Sequence, residues 1–164
     1  NGYVKYASVL IESIVKHASP KYKYQIYILH TDITKENMKI LEEQLKSANS
    51  GNFGIDFINV KRRMAGYQGL FVDRHLSIET YYRFLTLEIF PNLGKILYLD
   101  CDTVVNEDIS TLFLTDLENY SLGAVRDVDI ISLYAKENTA DPEVRNNTEN
   151  KLKKMPHWNE ASSR

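Results

Sequence analysis

Lys95-Ile96-Leu97-Tyr98-Leu99-Asp100-Cys101-Asp102-Thr103-Val104-Val105 runs from apolar, β-favouring residues into two carboxylates and straight back into apolar ones. Lys95 to Leu99 has the length and composition of a buried strand. Side chains alternate across extended backbone, so Asp100 and Asp102 are expected on one face with Cys101 turned opposite. Two close carboxylates repel unless a proton or a cation lies between them. At the carboxyl end of a parallel strand they stand where open α/β sheets take up ligands. An oxygen-only pair suits Mg²⁺ or Mn²⁺, with positions left open for phosphate oxygens. The same triplet is also ordinary turn sequence, and Asp127-Val128-Asp129 repeats it. The apolar residues on both sides favour the first triplet as the metal pair.

Outward from this segment, helix-period and strand-like stretches alternate. Tyr6 to His17 places Val9, Leu10, Ile14 and Val15 at helical spacing, and Ser19-Pro20 ends it. Tyr24 to Leu29 is β-branched and aromatic. Thr34 offers an N-cap, with Ile33 and Met38 spaced for a hydrophobic staple. Met38, Leu41, Leu45 and Ala48 continue that face up to Ser50-Gly51. Ile55 to Val60 reads as a strand, followed by a charged, aromatic loop through Gly66 and Gly69. Ser77 is placed to cap a helix that Pro91 ends near Phe90, and Leu122 to Val125 reads as a further strand. This alternation implies a layered α/β domain with a mostly parallel sheet. From Ala135 onward the chain is polar and charged, as in a solvated helix or a partly disordered extension.

Composition narrows the classes. The 164 residues carry 20 Lys+Arg against 22 Asp+Glu and a single cysteine. Balanced charge argues against nucleic acid as the main partner. One cysteine excludes an intrachain disulfide and suits a reducing, cytoplasmic setting. The apolar runs are too short to cross a bilayer and no leader opens the sequence, so any peripheral membrane association would come through parts outside it. Asn119-Tyr120-Ser121 and Asn146-Asn147-Thr148 fit the glycosylation sequon, which without a leader reads as coincidence.

Tyr81-Tyr82-Arg83-Phe84-Leu85, followed by the Lys95–Val105 segment, resembles glycosyltransferase family 8, the family of glycogenins and bacterial lipooligosaccharide galactosyltransferases. Three further stretches are similar in order and spacing: Tyr3 to Ile14, His75 to Tyr81, and Leu122 to Asp127. The resemblance implies a glycosyltransferase-A fold, a Rossmann-like sheet flanked by helices, incomplete here at both ends. It assigns residues 1–134 to a partial nucleotide-sugar-binding domain and 135–164 to a polar extension. The implied activity is transfer of glucose or galactose from a UDP-hexose to a saccharide or glycolipid acceptor, with retention of configuration. Mn²⁺, or Mg²⁺, is the implied cofactor.

Residue by residue, Asp100 and Asp102 match the family's metal motif, where the cation bridges the carboxylates and the UDP diphosphate. Such a cation offsets the charge that grows on the departing diphosphate. Tyr3 matches the aromatic that stacks on uracil, and Arg83 an arginine near the donor sugar. An inward-facing Arg on a segment so rich in Tyr, Phe and Leu also needs an anionic partner on physical grounds alone. Asp127 and His75 match positions lining the sugar or acceptor pocket. The family's first donor-binding strand, its later Asn-Ala-Gly strand and its His-x-x-Gly-x-x-Lys-Pro-Trp stretch are not found, so His157-Trp158 is not assigned a metal role. Two other readings stand beside the hexosyltransferase. A sugar-nucleotidyltransferase would expect a Gly-rich, basic phosphate loop, which Tyr3-Val4-Lys5-Tyr6 is not. A non-catalytic sugar-nucleotide-binding module is the second.

Overall fold

A computed structural model describes residues 2–47, 51–67, 70, 77–125, 132, 135 and 141–146. The chain divides into two units, Asn1–Thr115 and Asp116–Arg164.

In the first unit, α1 (Val4–His17) opens the chain, followed by β1 (Tyr24–His30), α2 (Lys35–Ser47) and β2 (Phe53–Asn59). β1 and β2 pair in parallel from Tyr24 opposite Phe53 to His30 opposite Asn59, with α2 as the crossover that parallel neighbours require. This α/β unit with its parallel sheet and flanking helices is the expected layered class. Thr34 caps α2 as its sequence predicts: its hydroxyl accepts from the Asn37 N–H at 3.3 Å. Gly51 follows with φ +39°, a backbone conformation that glycine adopts without a Cβ penalty.

α1 lies at the centre of two apolar clusters. Ile11 packs with Leu41 and Leu45 of α2 and with the sheet residues Ile26, Phe53 and Phe57. Leu41 is wholly buried, a state that stabilises the fold by about 1.5–3 kcal/mol relative to exposure. Leu10 and Ile14 instead pack with Val105, Leu99 and Ile109. Val9 was expected on the inner face but is exposed, and Ile11 takes that place. Positions 10, 11 and 14 make one contiguous stripe at 3.6 residues per turn, and 9 falls outside it. A polar clasp holds α1 to α2. The Ser8 hydroxyl donates to the Gln44 side-chain oxygen at 2.8 Å, and the Gln44 amide donates back to the Ser8 carbonyl at 2.9 Å.

A third cluster sits beyond the carboxyl ends of the strands. Val60, Met64, Tyr82 and Leu85 are its buried members, with Leu29 and Ile58 packed against it. Met64 belongs to a short helix, α3 (Lys61–Met64), in a stretch expected to be loop. The helix expected from Ser77 to Phe90 is a 3₁₀ turn over Ile78–Leu85 that passes into α4 (Thr86–Ile89). Its first part is tighter because Tyr82 and Leu85, three apart, both face the cluster. Ser77 makes no side-chain cap, contrary to expectation.

Lys95 to Leu99, expected as a buried strand, is irregular and unpaired, with Lys95 and Tyr98 exposed. Side-chain packing of Leu99 against Leu10 and Ile14 holds it in place of a hydrogen-bonded ladder. Asp108 anchors the segment that follows. It accepts from the Tyr24 hydroxyl at 2.8 Å and from the Ser110 N–H and hydroxyl at 3.0 and 2.6 Å. This is the Asx-type start of α5 (Ser110–Phe113), and the Ser110 hydrogen bonds hold the Asp108 carboxyl below its ordinary range.

In the second unit, Leu122 to Val125 is exposed and forms no strand, since no described neighbour offers it a ladder. Asp141 starts a helical stretch by accepting from the Glu143 N–H at 2.9 Å. No helix among the described residues is long and apolar enough to cross a membrane.

Candidate functional site: Arg83 and the acidic turn

Asp100 to Thr103 is a turn. The Thr103 N–H donates to the Asp100 carbonyl at 3.2 Å and the Thr103 hydroxyl donates to the same oxygen at 2.7 Å. Asp100 and Asp102 therefore stand at the first and third positions of this turn, not on one face of extended backbone as expected. The turn is fixed on both sides by apolar contacts. Leu99 before it and Val105 after it pack on Leu10 and Ile14 of α1, and the Val105 N–H donates to the buried Ser13 hydroxyl at 2.9 Å. Both carboxylates are left facing solvent.

Arg83 meets this turn. Its Nη2 donates to Asp100 Oδ1 at 3.1 Å and lies 3.4 Å from Oδ2. Its Nε donates to the Thr80 carbonyl at 2.9 Å, the backbone of its own 3₁₀ turn. Its guanidinium carbon stands 5.0 Å from the centre of the Tyr98 ring, a cation–π distance. The anionic partner expected for Arg83 is Asp100, in a pair that stays open to solvent rather than buried. Tyr82, just before Arg83 in sequence, fixes the 3₁₀ turn that carries Arg83 beside the carboxyl end of β1: its hydroxyl donates to Thr31 Oγ1 at 3.2 Å, and its ring is buried beside Val60 and Leu85.

Although Tyr98 keeps 37% of its surface exposed, desolvation of its hydroxyl pushes it up to about 12, and Asp100 adds to the effect through its charge and by accepting the hydroxyl's hydrogen bond. Tyr98 is therefore a neutral ring at physiological pH. Burial likewise pushes the Cys101 thiol up, reinforced by the Asp102 and Asp100 carboxylates. Such a thiol is protonated and a poor nucleophile.

Tyr3 stands at the N-terminus of α1, exposed, its ring 5.7 Å from that of Tyr6. Neither Tyr3 nor Asp102 makes a hydrogen bond or ion pair with Arg83 or Asp100 among the described residues. His75 and Asp127 lie outside the described residues. Sequence reading missed Tyr98 as the surface under the guanidinium. The available signal was its position two residues before Asp100 on the same segment.

No group of three or more His, Cys, Asp or Glu side chains forms a metal cage among the described residues. Asp100 and Asp102 are two oxygen donors, the ligand chemistry that Mg²⁺ and Mn²⁺ take, and they fall short of a closed cage by themselves. Two exposed carboxylates share one rigid turn, and one of them already holds a cationic group, the Arg83 guanidinium.

In open α/β sheets, ligands are taken up at the carboxyl ends of the strands, the end of β1 beside which the 3₁₀ turn carrying Arg83 lies. Comparison with known proteins makes this specific. The family model for glycosyl transferase family 8 matches residues 1–161, and the chain belongs to that family, carrying part of its glycosyltransferase-A-like α/β fold. Glycosyltransferase GlyF of Streptococcus pneumoniae is 30% identical over 128 residues, which cover 78% of this chain and 30% of that protein. Glycosyltransferase GlyA of the same organism is 33% identical over 126 residues, 77% of this chain and 16% of that protein. Probable galacturonosyltransferase 4 of Arabidopsis thaliana is 48% identical over 52 residues, 32% of this chain and 8% of that protein. The chain spans less than half the length of these relatives. No solved structure matches it significantly.

Proposed function

We propose that this chain forms the nucleotide-sugar side of a metal-dependent, retaining hexosyltransferase that moves glucose or galactose from a UDP-sugar to a saccharide or glycolipid acceptor. The observation that carries this reading is the exposed Asp100 carboxylate, held on a fixed turn and already drawing a cation at 3.1 Å. Asp100 and Asp102 are the residues that would hold Mn²⁺ or Mg²⁺, which when bound supplies Lewis-acid offset of the charge on the leaving diphosphate.

The protein's own groups account for the remaining roles. Arg83 contributes a permanent positive charge beside the acidic turn, where an anionic diphosphate is to be received. Tyr98 keeps the guanidinium in place without ionising. Tyr3 presents an exposed ring suited to stacking on a base. Asp127 and His75 are assigned to the sugar and acceptor side on family resemblance, and residues 1–134 to the nucleotide-sugar-binding domain on the same basis. A relative named as a galacturonosyltransferase makes UDP-galacturonic acid a necessary third donor in any screen.

Calorimetry on the full-length natural protein tests the reading. UDP-glucose, UDP-galactose and UDP-galacturonic acid are each titrated with Mn²⁺ and with excess chelator. Binding of one donor that appears only with the cation is the expected result. Equal affinity in chelator, or no binding of any donor, overturns it.

A further inference from the structure

We propose that Arg83 is a built-in counter-cation for Asp100, which a divalent metal must displace on binding, and that Tyr98 and the Thr80 carbonyl are positioning groups that keep the displaced guanidinium beside the site. This rests on the hexosyltransferase reading and adds an order of events to it.

Three features of the pair lead here. First, a single nitrogen, Nη2, lies 3.1 and 3.4 Å from the two oxygens of Asp100, so one arm of the guanidinium fork spans the carboxylate. A metal ion and a guanidinium on the same carboxylate repel each other. Second, Arg83 and Asp100 side chains keep 38% and 51% of their surface exposed. A pair this open favours the closed arrangement by only roughly two- to fivefold, so it can be opened by an arriving cation. Third, Asp100 is not the sole hold on Arg83. Nε is bonded to the Thr80 carbonyl at 2.9 Å and the guanidinium carbon is 5.0 Å from the Tyr98 ring. Loss of the carboxylate contact therefore frees Nη2 while the rest of the group stays tethered. A released Nη2 carries donors toward the region where phosphate charge would arrive.

Under this arrangement Arg83 protects the acidic turn from unbalanced negative charge when no metal is bound. It also weakens the affinity for metal alone, so that the cation is taken up best together with an anion able to accept the freed guanidinium.

The test uses the full-length natural protein without nucleotide. Mn²⁺ affinity is measured by electron paramagnetic resonance for the wild type and for Arg83→Gln, and the Arg83 guanidinium nitrogens of the wild type are followed by NMR during titration with diamagnetic Mg²⁺. Arg83→Gln is expected to bind Mn²⁺ roughly two- to fivefold more tightly, the factor by which the ion pair competes. Saturating Mg²⁺ is expected to release the restricted rotation of the wild-type Nη groups. Unchanged or weaker Mn²⁺ affinity in a folded Arg83→Gln overturns the proposal. So does an Arg83 signal that Mg²⁺ leaves unmoved, and this arm stands even if the variant does not fold. If UDP-hexose binding proves cation-dependent while either of these negative results is found, the counter-cation role alone fails. If the wild type binds no divalent metal with or without nucleotide, both readings fall.

Discussion

The Ile33 N–H donates to Nδ1 of His30 at 3.2 Å, so the imidazole proton resides on Nε2 and Nδ1 acts as an acceptor. His30 is buried at the carboxyl end of β1, and a second proton would remove that acceptor while placing a charge in a poorly solvated position. Burial accordingly lowers its pKa from the ordinary 6.5, with Asp32 pulling partly the other way.

The pH dependence of stability follows with a definite sign. The folded state binds the His30 proton less readily than the unfolded chain, so this contribution is complete above about 6.5 and is lost as pH falls from there through the lowered folded value. Denaturant midpoints are expected to fall between pH 7 and pH 5. His30→Asn keeps an acceptor near the Nδ1 position, so its profile should be flatter over that interval. An equally steep profile in the variant would assign the loss to other groups.

Ser13→Ala should destabilise the fold by about 1–3 kcal/mol. The hydroxyl donates to the Leu10 carbonyl at 2.7 Å and accepts from the Val105 N–H at 2.9 Å, so its removal leaves a buried N–H without a partner. Chemical denaturation reads the change. Its absence would mean that water replaces the hydroxyl.

Leucines separate by burial. Leu41→Ala should cost about 2–5 kcal/mol, because Leu41 is wholly buried between α1 and the sheet. Leu87→Ala should change stability by no more than about 0.5 kcal/mol, since Leu87 is 81% exposed. Comparable losses for the two would show that Leu87 is covered in the full-length protein.

Asp100→Asn and Asp102→Asn each remove a carboxylate charge with little change of shape. UDP-sugar turnover is expected to fall by at least roughly a hundredfold in each. Stability should move by no more than about 1 kcal/mol, because both side chains face solvent. Turnover assays beside circular dichroism check the pair. Unchanged turnover would leave the acidic turn as a plain chain reversal.

How much of this was legible depended on range. The Thr34 cap was readable because its donor lies three residues away, and the β1 segment because its composition is strongly β-favouring. Arg83 announced its need for an anion through its apolar neighbours. Lys95–Leu99 misled because a strand exists only with a partner, which composition does not encode. The 3₁₀ turn at Ile78–Leu85 was hidden for a related reason: its tightness follows from Tyr82 and Leu85 packing with Val60 and Met64. Ser13 left a faint mark as a polar residue inside an apolar helical stripe. Its partner, far along the chain, left none.

That distance also bears on biosynthesis. Ser13 and Val105 are 92 residues apart, so at a ribosomal pace of about 5–20 residues per second the helix waits roughly 5–18 s for its far contact to be made. Meanwhile the contacts of α1 with α2 and the sheet can already form. The nascent chain thus covers the Leu10–Ile14 face last, and a chaperone that guards this chain on the ribosome should recognise that face.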